Sequence, residues 1–309
     1  MVRGLFPRGH RKPAHQPVPF VVGVPRSGTT MLRLMLDAHP ELAIPPETYF
    51  IPRASKAWRR AQEPRRSHDP VEALAEAIAG FRRWPDFHLD ADAFRERVRA
   101  RRPATAGEGI RCFYEMYAEK MGKPRWGDKT PHYLRRMDVI HELLPEARFV
   151  HVVRDGRAVA LSIKDLWFGP STFEECAEYW VHRIDEARHR AKGLPHYMEV
   201  RYEDLVRQPE TQLRRIAEFI ELPFDGSMVR YYEHVDERIA METPPTEVAP
   251  DGRVVSSEER KQIITNVSRR PDPTRIDSWR TEMQNPAERR AFEAIAGQRL
   301  AELGYPPSS

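Results

Sequence analysis

The sequence predicts an α/β fold: a parallel sheet flanked by helices, with a helical insertion. Two observations predict it. Short apolar runs rich in β-branched residues stand at 19–24 (PFVVGV), 149–153 (FVHVV) and 197–202 (YMEVRY), with the length and composition of buried strands. The first two end in tight loops followed by apolar residues at helical spacing, TMLRLMLDAH and GRAVALSI, and a helix is expected after the third. Strands alternating with helices make parallel βαβ units under helical cover.

Taken in order, residues 1–17 read as a flexible basic arm, since RGHRK, Pro13 and Pro17 give no apolar periodicity. Order is expected from Pro19, within one domain over 18–309. Residues 55–123 read as a helical insertion. They are charged, broken by Pro64, Pro70, Pro85 and Pro103, and carry helical stretches at 71–79 and 91–100 and the amphipathic GEGIRCFYEMYAEKMG. A long helix is expected over 174–192, and another over 210–221 with Leu213, Ile216, Phe219 and Ile220 on one stripe. The Pro-rich stretch 242–275 is expected to be an irregular, lid-like loop, and residues 287–303 a closing helix.

With 309 residues the chain sits at the upper limit of one core, and 40% hydrophobic with 31% charged residues excludes a disordered chain. Its longest uncharged apolar stretch, 20–25, is far short of the roughly 20 residues a bilayer span needs. The N-terminal segment lacks the apolar block of a secretory signal, so a cytoplasmic location without a membrane span is expected. Cys112 and Cys176 form no disulfide framework and read as core residues. Of 50 basic residues 42 are Arg, whose planar fork suits phosphate and sulfate, but the net charge of only +4 points to no nucleic-acid partner. FRRWPDFH sets aromatics among arginines without an RNP, zinc-finger or helix-turn-helix pattern. No metal is expected either: His182, Asp185, Glu186 and His189 share a helix face, but Arg183 and Arg188 beside them mark a salt-bridged surface.

The sharpest motif is GVPRSGTT, from Gly23 to Thr30, between a predicted strand and a predicted helix. Its G-x-x-x-x-G spacing is that of a loop whose backbone N–H groups turn toward an anion at a helix N-terminus, although a plain Gly-containing turn has the same spacing. Thr29 stands where an ATPase carries the Lys that reaches terminal phosphates, so a nucleotide of different distal chemistry is indicated. A second anion site is readable in Arg154 and Ser162. Arg154 ends the strand FVHVV, where open α/β sheets bind ligands, and Ser162 falls about two helical turns later. Alone, Arg154 reads equally as a surface ion-pair partner; paired with the first loop, it fits a nucleotide phosphorylated at both ends.

With these residues in view, the sequence resembles the sulfotransferases that use 3′-phosphoadenosine 5′-phosphosulfate (PAPS), most closely the tyrosylprotein sulfotransferase-like branch, as a soluble bacterial-type member. GVPRSGTTMLRLMLDAHPEL, PETYFIPR, GDKTPHYL, FVHVVRDGRAVALS, VRYEDLVRQPE and RIDSWR…LGY carry the resemblance, from about Pro19 to Tyr305. It implies a P-loop NTPase-like sheet with PAPS as co-substrate. Arg26, Ser27, Gly28, Thr29 and Thr30 are implied to hold the 5′-phosphosulfate, Arg154 and Ser162 the 3′-phosphate, and Tyr202 to lie at the nucleotide. Glu47 is the implied catalytic base, and Lys129, helped by Arg26, the implied cation at the leaving group. As a base, Glu47 is expected to have a raised pKa among Pro45, Pro46 and Tyr49. His39 and His132 stay open as alternative bases.

Two departures bear on this resemblance. Tyr49 stands where the branch places an Arg for acidic peptides, which points to a hydroxyl acceptor on a small metabolite, sugar, glycolipid or natural product rather than protein tyrosine. Ser278 precedes Trp279 where a Lys usually covers the nucleotide, leaving Arg269, Arg270 or Arg275 to replace it. A homodimer is admitted. The rival readings are a protein-tyrosine sulfotransferase, a small-molecule kinase on the same loop, and a non-enzymatic nucleic-acid binder.

Overall fold

The computed structural model describes residues 15–64, 68–164, 166, 169–240, 246–248, 254–256, 267 and 269–308. In chain order these form β1 (Val18–Gly23), α1 (Thr29–Asp37), β2 (Leu42–Ala43), α2 (Ile51–Ala61), α3 (Pro70–Ala79), α4 (Ala91–Arg101), α5 (Ala106–Lys120), β3 (Arg125–Trp126) and β4 (Asp128–Lys129). There follow α6 (Met137–Leu143), β5 (Ala147–Val153), α7 (Gly156–Ile163), α8 (Phe173–Ala191), β6 (Tyr197–Arg201), α9 (Tyr202–Arg207) and α10 (Pro209–Phe219), and a C-terminal helix spans Pro286–Glu302.

The main sheet has the order β4-β1-β5-β6, and every pairing in it is parallel. β1 and β5 read as nearly continuous apolar runs because both faces of a parallel sheet are covered. Phe20 and Phe149, opposite each other in register, turn into one core region with the insertion helices; Val21 and Val150, one residue on, turn into the other beneath α1 and α10. β2 and β3 pair separately, also in parallel.

Between β2 and β3 the described chain is mostly helical, and Pro52 and Pro70 stand in the first turns of α2 and α3. Asp69, Asp90 and Thr105 cap α3, α4 and α5 by accepting from the N–H groups of Val71, Ala93 and Glu108, with Pro70 in the first turn of α3. Aromatic edges hold these helices together: Phe113 meets Phe50 at 4.7 Å and Phe87 at 4.8 Å between ring centroids. Tyr114 then stacks on Trp126 at 4.4 Å and fastens the helical layer to the sheet side.

The first strand starts at Val18, one residue before the expected run PFVVGV, and β2, β3 and β4, each two residues long, had no run by which to announce themselves. Residues 1–14 of the expected arm lie outside the described residues, as does most of 242–275. Within that second stretch Thr246–Val248 and Val254–Ser256 pair antiparallel, as their β-branched residues favour, and Pro273–Arg275 forms a short 3-10 turn. Among the described residues no helix is long and apolar enough to cross a membrane.

Candidate active site at the end of the parallel sheet

Parallel strands end on one side, and here all four main-sheet strands deliver a residue singled out from the sequence. β1 runs into the loop that carries Arg26, Ser27 and Gly28; β4 ends on Lys129; β5 is followed by Arg154, and β6 by Tyr202.

The loop after β1 is tightly wound. Gly28 has φ +94°, and a Cβ there would lie 2.3 Å from Cδ2 of Tyr202, so only glycine admits the tyrosine ring against the backbone. Arg26 adopts φ +71°, a left-handed conformation that a non-glycine residue holds at a cost and that recurs at ligand sites. α1 starts at Thr29 without a side-chain cap and without an acid in its first turn, leaving its N-terminal N–H groups and dipole toward the loop. Ser27 Oγ is fully buried and has no hydrogen-bond partner among the described residues.

The two anion subsites read from the sequence are one contiguous site. Arg26 Nε donates to Ser162 Oγ at 2.9 Å, and Arg154 Nη1 donates to the Arg26 carbonyl at 2.9 Å. The Arg154 guanidinium lies 4.5 Å from the Tyr202 ring centre. Burial, and then the nearby Arg154 charge, hold the Arg26 guanidinium below its ordinary value. Two such cations side by side, neither ion-paired to a carboxylate among the described residues, make a place for an anion.

Across Thr30 lies a second constellation. Lys129 Nζ donates to Glu47 Oε1 at 2.6 Å and reaches Thr30 Oγ1 at 3.5 Å. Tyr49, itself left-handed at φ +47°, donates its hydroxyl to Glu47 Oε2 at 2.5 Å, and Arg83 Nη1 approaches the same oxygen at 3.9 Å. His132 Nδ1 is 3.3 Å from the Tyr49 hydroxyl, and burial holds its imidazolium form below the ordinary range. The expected raised pKa of Glu47 is corrected here. Burial does push it up, but Lys129 and Arg83 prevail and draw it from 4.5 down to about 2. Lys129 is only 5% exposed, and its burial lowers the ammonium despite Glu47.

The other expected positions fall elsewhere. His39 is buried with both ring nitrogens engaged: Nδ1 accepts from Glu41 N–H, which leaves Nε2 to donate to the Pro223 carbonyl at 2.9 Å, a structural role. Arg269, Arg270 and Arg275 are exposed, and the Trp279 indole is buried against Arg157. On α8, Asp185 pairs with Arg299, and Glu186 with Arg183 and Arg135.

The family model described as "Sulfotransferase family" matches residues 17–226, which include every one of the positions just brought together. The chain belongs to the sulfotransferase family. It is 28% identical over 261 residues to the protein-tyrosine sulfotransferase of Drosophila melanogaster, covering 82% of this chain and 45% of that protein. It is 30% identical over 242 residues to protein-tyrosine sulfotransferase A of Caenorhabditis elegans, covering 73% and 55%. This sulfotransferase-family chain thus spans about half the length of the curated relatives it matches. The sulfotransferase domain from the Synechococcus PCC 7002 olefin synthase shares its fold, with a TM-score of 0.57, 23% identity and coverage of 94% of this chain and 97% of that one. The fold is accordingly P-loop-like, a parallel sheet flanked by helices.

One part of this candidate site is not readable in the sequence. Thr48 Oγ1 donates to Asp128 Oδ2 at 2.8 Å and lies 2.9 Å from the Tyr133 hydroxyl, while Thr48 N–H donates to Thr130 Oγ1 at 3.0 Å. The Tyr114 hydroxyl also donates to Asp128 Oδ2, at 2.9 Å. This buried knot ties the neighbour of Glu47 to both neighbours of Lys129, fixing the ion pair from behind. Burial raises the Asp128 carboxyl to about 6. PETY and GDKTP hold the signal, but only as polar residues beside charged ones.

Proposed function

We propose that this chain moves the sulfuryl group of PAPS onto a hydroxyl of a small metabolite, sugar, glycolipid or natural product, in the cytoplasm and without a metal. The observation that carries the reading is the Glu47–Lys129 pair, set across Thr30 from Arg26 and Arg154 on one sheet edge. The residues suit such a nucleotide: the uncapped start of α1 and the orphaned Ser27 Oγ fit a 5′-terminal anion, and Arg154 with Ser162 fits a second anion beside the Tyr202 ring. Bound there, PAPS supplies an activated sulfuryl group and a bisphosphate leaving group.

The protein's own part is positioning and charge. Glu47 takes the proton of the acceptor hydroxyl. Lys129 and Arg26 meet the negative charge that develops toward the phosphate loop, and Arg154, Ser162 and Tyr202 fix the far end of the nucleotide. A protein-tyrosine acceptor is the second reading, favoured by the names of the relatives and by Arg83, which sets a cation beside Glu47 although Tyr49 replaces the expected Arg.

The test is thermal stabilisation by adenosine 3′,5′-bisphosphate, ATP·Mg²⁺ and DNA. Ligand at about 100 times its Kd adds about 2.7 kcal/mol, so the bisphosphate should raise Tm while the others leave it in place. Stabilisation by ATP·Mg²⁺ alone would favour the kinase, and by DNA the nucleic-acid binder. Sulfate transfer to tyrosyl peptides in preference to small hydroxyl compounds would favour the second acceptor class.

A further inference from the structure

Behind the Arg154–Tyr202 stack lies a buried carboxylate for which the reaction has no use. Glu203 follows Tyr202, and Asp155 follows Arg154. Glu203 Oε1 accepts the Asp155 backbone N–H at 3.0 Å, so one side chain clasps the two strand ends just behind the residues that face the nucleotide. Its other oxygen, Oε2, accepts the Tyr305 hydroxyl at 2.9 Å, a contact spanning 102 residues. Glu203 is 4% exposed and Tyr305 3%. Burial pushes the Glu203 carboxyl up from its ordinary range, so the fold keeps a costly group here.

The same end of the chain braces Asp155. The Asp155 carboxylate caps α7 and takes Nε and Nη2 of Arg157 at 3.0 and 2.8 Å. Arg157 also donates to Glu293 Oε1 at 2.5 Å and to the Pro306 carbonyl at 2.9 Å, with the Trp279 ring centre 3.7 Å from its guanidinium. The C-terminal residues Trp279, Glu293, Tyr305 and Pro306 therefore bear on the loop after β5 through Glu203 and Arg157.

We propose that Glu203 is a positioning residue for the 3′-phosphate end of the nucleotide, pinned by Tyr305 and holding Arg154 and Tyr202 in register through the Asp155 backbone. This rests on the assignment of Arg154 and Ser162 to a 3′-phosphate. Two nucleotides separate the two ideas: adenosine 3′,5′-bisphosphate, which has that phosphate, and adenosine 5′-monophosphate, which lacks it. Wild-type protein should prefer the bisphosphate by calorimetry; equal affinity for both would refute the underlying assignment. Glu203→Ala should lose about tenfold in bisphosphate affinity and under about twofold for the monophosphate. Glu203→Gln, which still accepts from the Asp155 N–H and presents an amide to the Tyr305 oxygen, should recover the bisphosphate affinity. Tyr305→Phe, the milder lesion if Glu203→Ala does not fold, should lose about threefold for the bisphosphate alone. Equal losses for both nucleotides, or none for the bisphosphate in either variant, would overturn the proposal.

Discussion

Replacing Glu47 with Gln removes a charge while keeping size and shape, and the surroundings of the carboxylate determine the cost. Lys129 and Arg83 lower its pKa from 4.5 to about 2, a difference worth about 3 kcal/mol when the group is ionised in both folded and unfolded chains. Because the folded pKa is the depressed one, that stabilisation is complete above pH 4.5 and drains away as the pH falls toward 2. In the Glu47→Gln variant the introduced amide keeps a partner in the Tyr49 hydroxyl, but the Lys129 ammonium, 5% exposed, loses its counter-charge. At the low end of 2–4 °C per kcal/mol, Tm at neutral pH should fall by about 6 °C, and the gap to wild type should close as the pH drops through the acid window. Turnover should drop by about 10²-fold, with affinity for adenosine 3′,5′-bisphosphate undiminished, since the Lys129 ammonium freed from Glu47 faces the phosphate loop. Scanning fluorimetry across pH, calorimetry and a transfer assay at saturating PAPS give the three readouts. Wild-type turnover would remove Glu47 as the base, and a Tm gap indifferent to acid would remove the ion pair as the cause of its low pKa.

Two further substitutions test the scaffold. Gly28→Ala adds a left-handed residue at a cost of about 1 kcal/mol and a Cβ 2.3 Å from the Tyr202 ring, so the ring must leave Arg154; bisphosphate affinity should fall more than about tenfold, and wild-type affinity would show that the stack does not serve the nucleotide. Thr48→Val keeps the shape of the knot but strips its hub, and should cost about 2 kcal/mol in urea unfolding and lower turnover, while Thr48→Ser keeps both; unaltered unfolding would mean that Asp128 finds other partners.

What can be read in the sequence depends on the distance over which its signals act. The loop after β1, Arg154 and Tyr202 each lie within a few residues of a strand end, and a strand, loop and helix write a local pattern of apolar runs and glycines. Parallel pairing then places those strand ends together without further information. Glu47 and Lys129 are 82 residues apart, and no period links them; family resemblance alone puts them in one site. The knot of Thr48, Tyr114, Asp128, Thr130 and Tyr133 is illegible, because small polar side chains acquire meaning only once burial deprives them of water. The sign of the Glu47 shift escapes a sequence reading for a related reason. Neighbouring prolines and an aromatic suggest desolvation, whereas the deciding charges come from Arg83 within the helical insertion and from Lys129 at the end of an edge strand.

That low pKa gives the proposed reaction its order. The Lys129 ammonium stands between Glu47 Oε1, at 2.6 Å, and Thr30 Oγ1, at 3.5 Å, so it faces both the base and the phosphate loop. While it is committed to Glu47, the carboxylate is a poor proton acceptor. An anion arriving at the loop competes for the same ammonium, and each increment of charge drawn toward Thr30 is withdrawn from Glu47, whose basicity rises as the counter-charge recedes. Arg83, at 3.9 Å, and the Tyr49 hydroxyl both hold Oε2, the oxygen away from Lys129, so the orientation of the carboxylate does not rest on Lys129 alone. On the proposed assignment of Glu47 as the base, nucleotide occupancy strengthens it. An acceptor hydroxyl entering before the nucleotide meets a carboxylate still paired to Lys129.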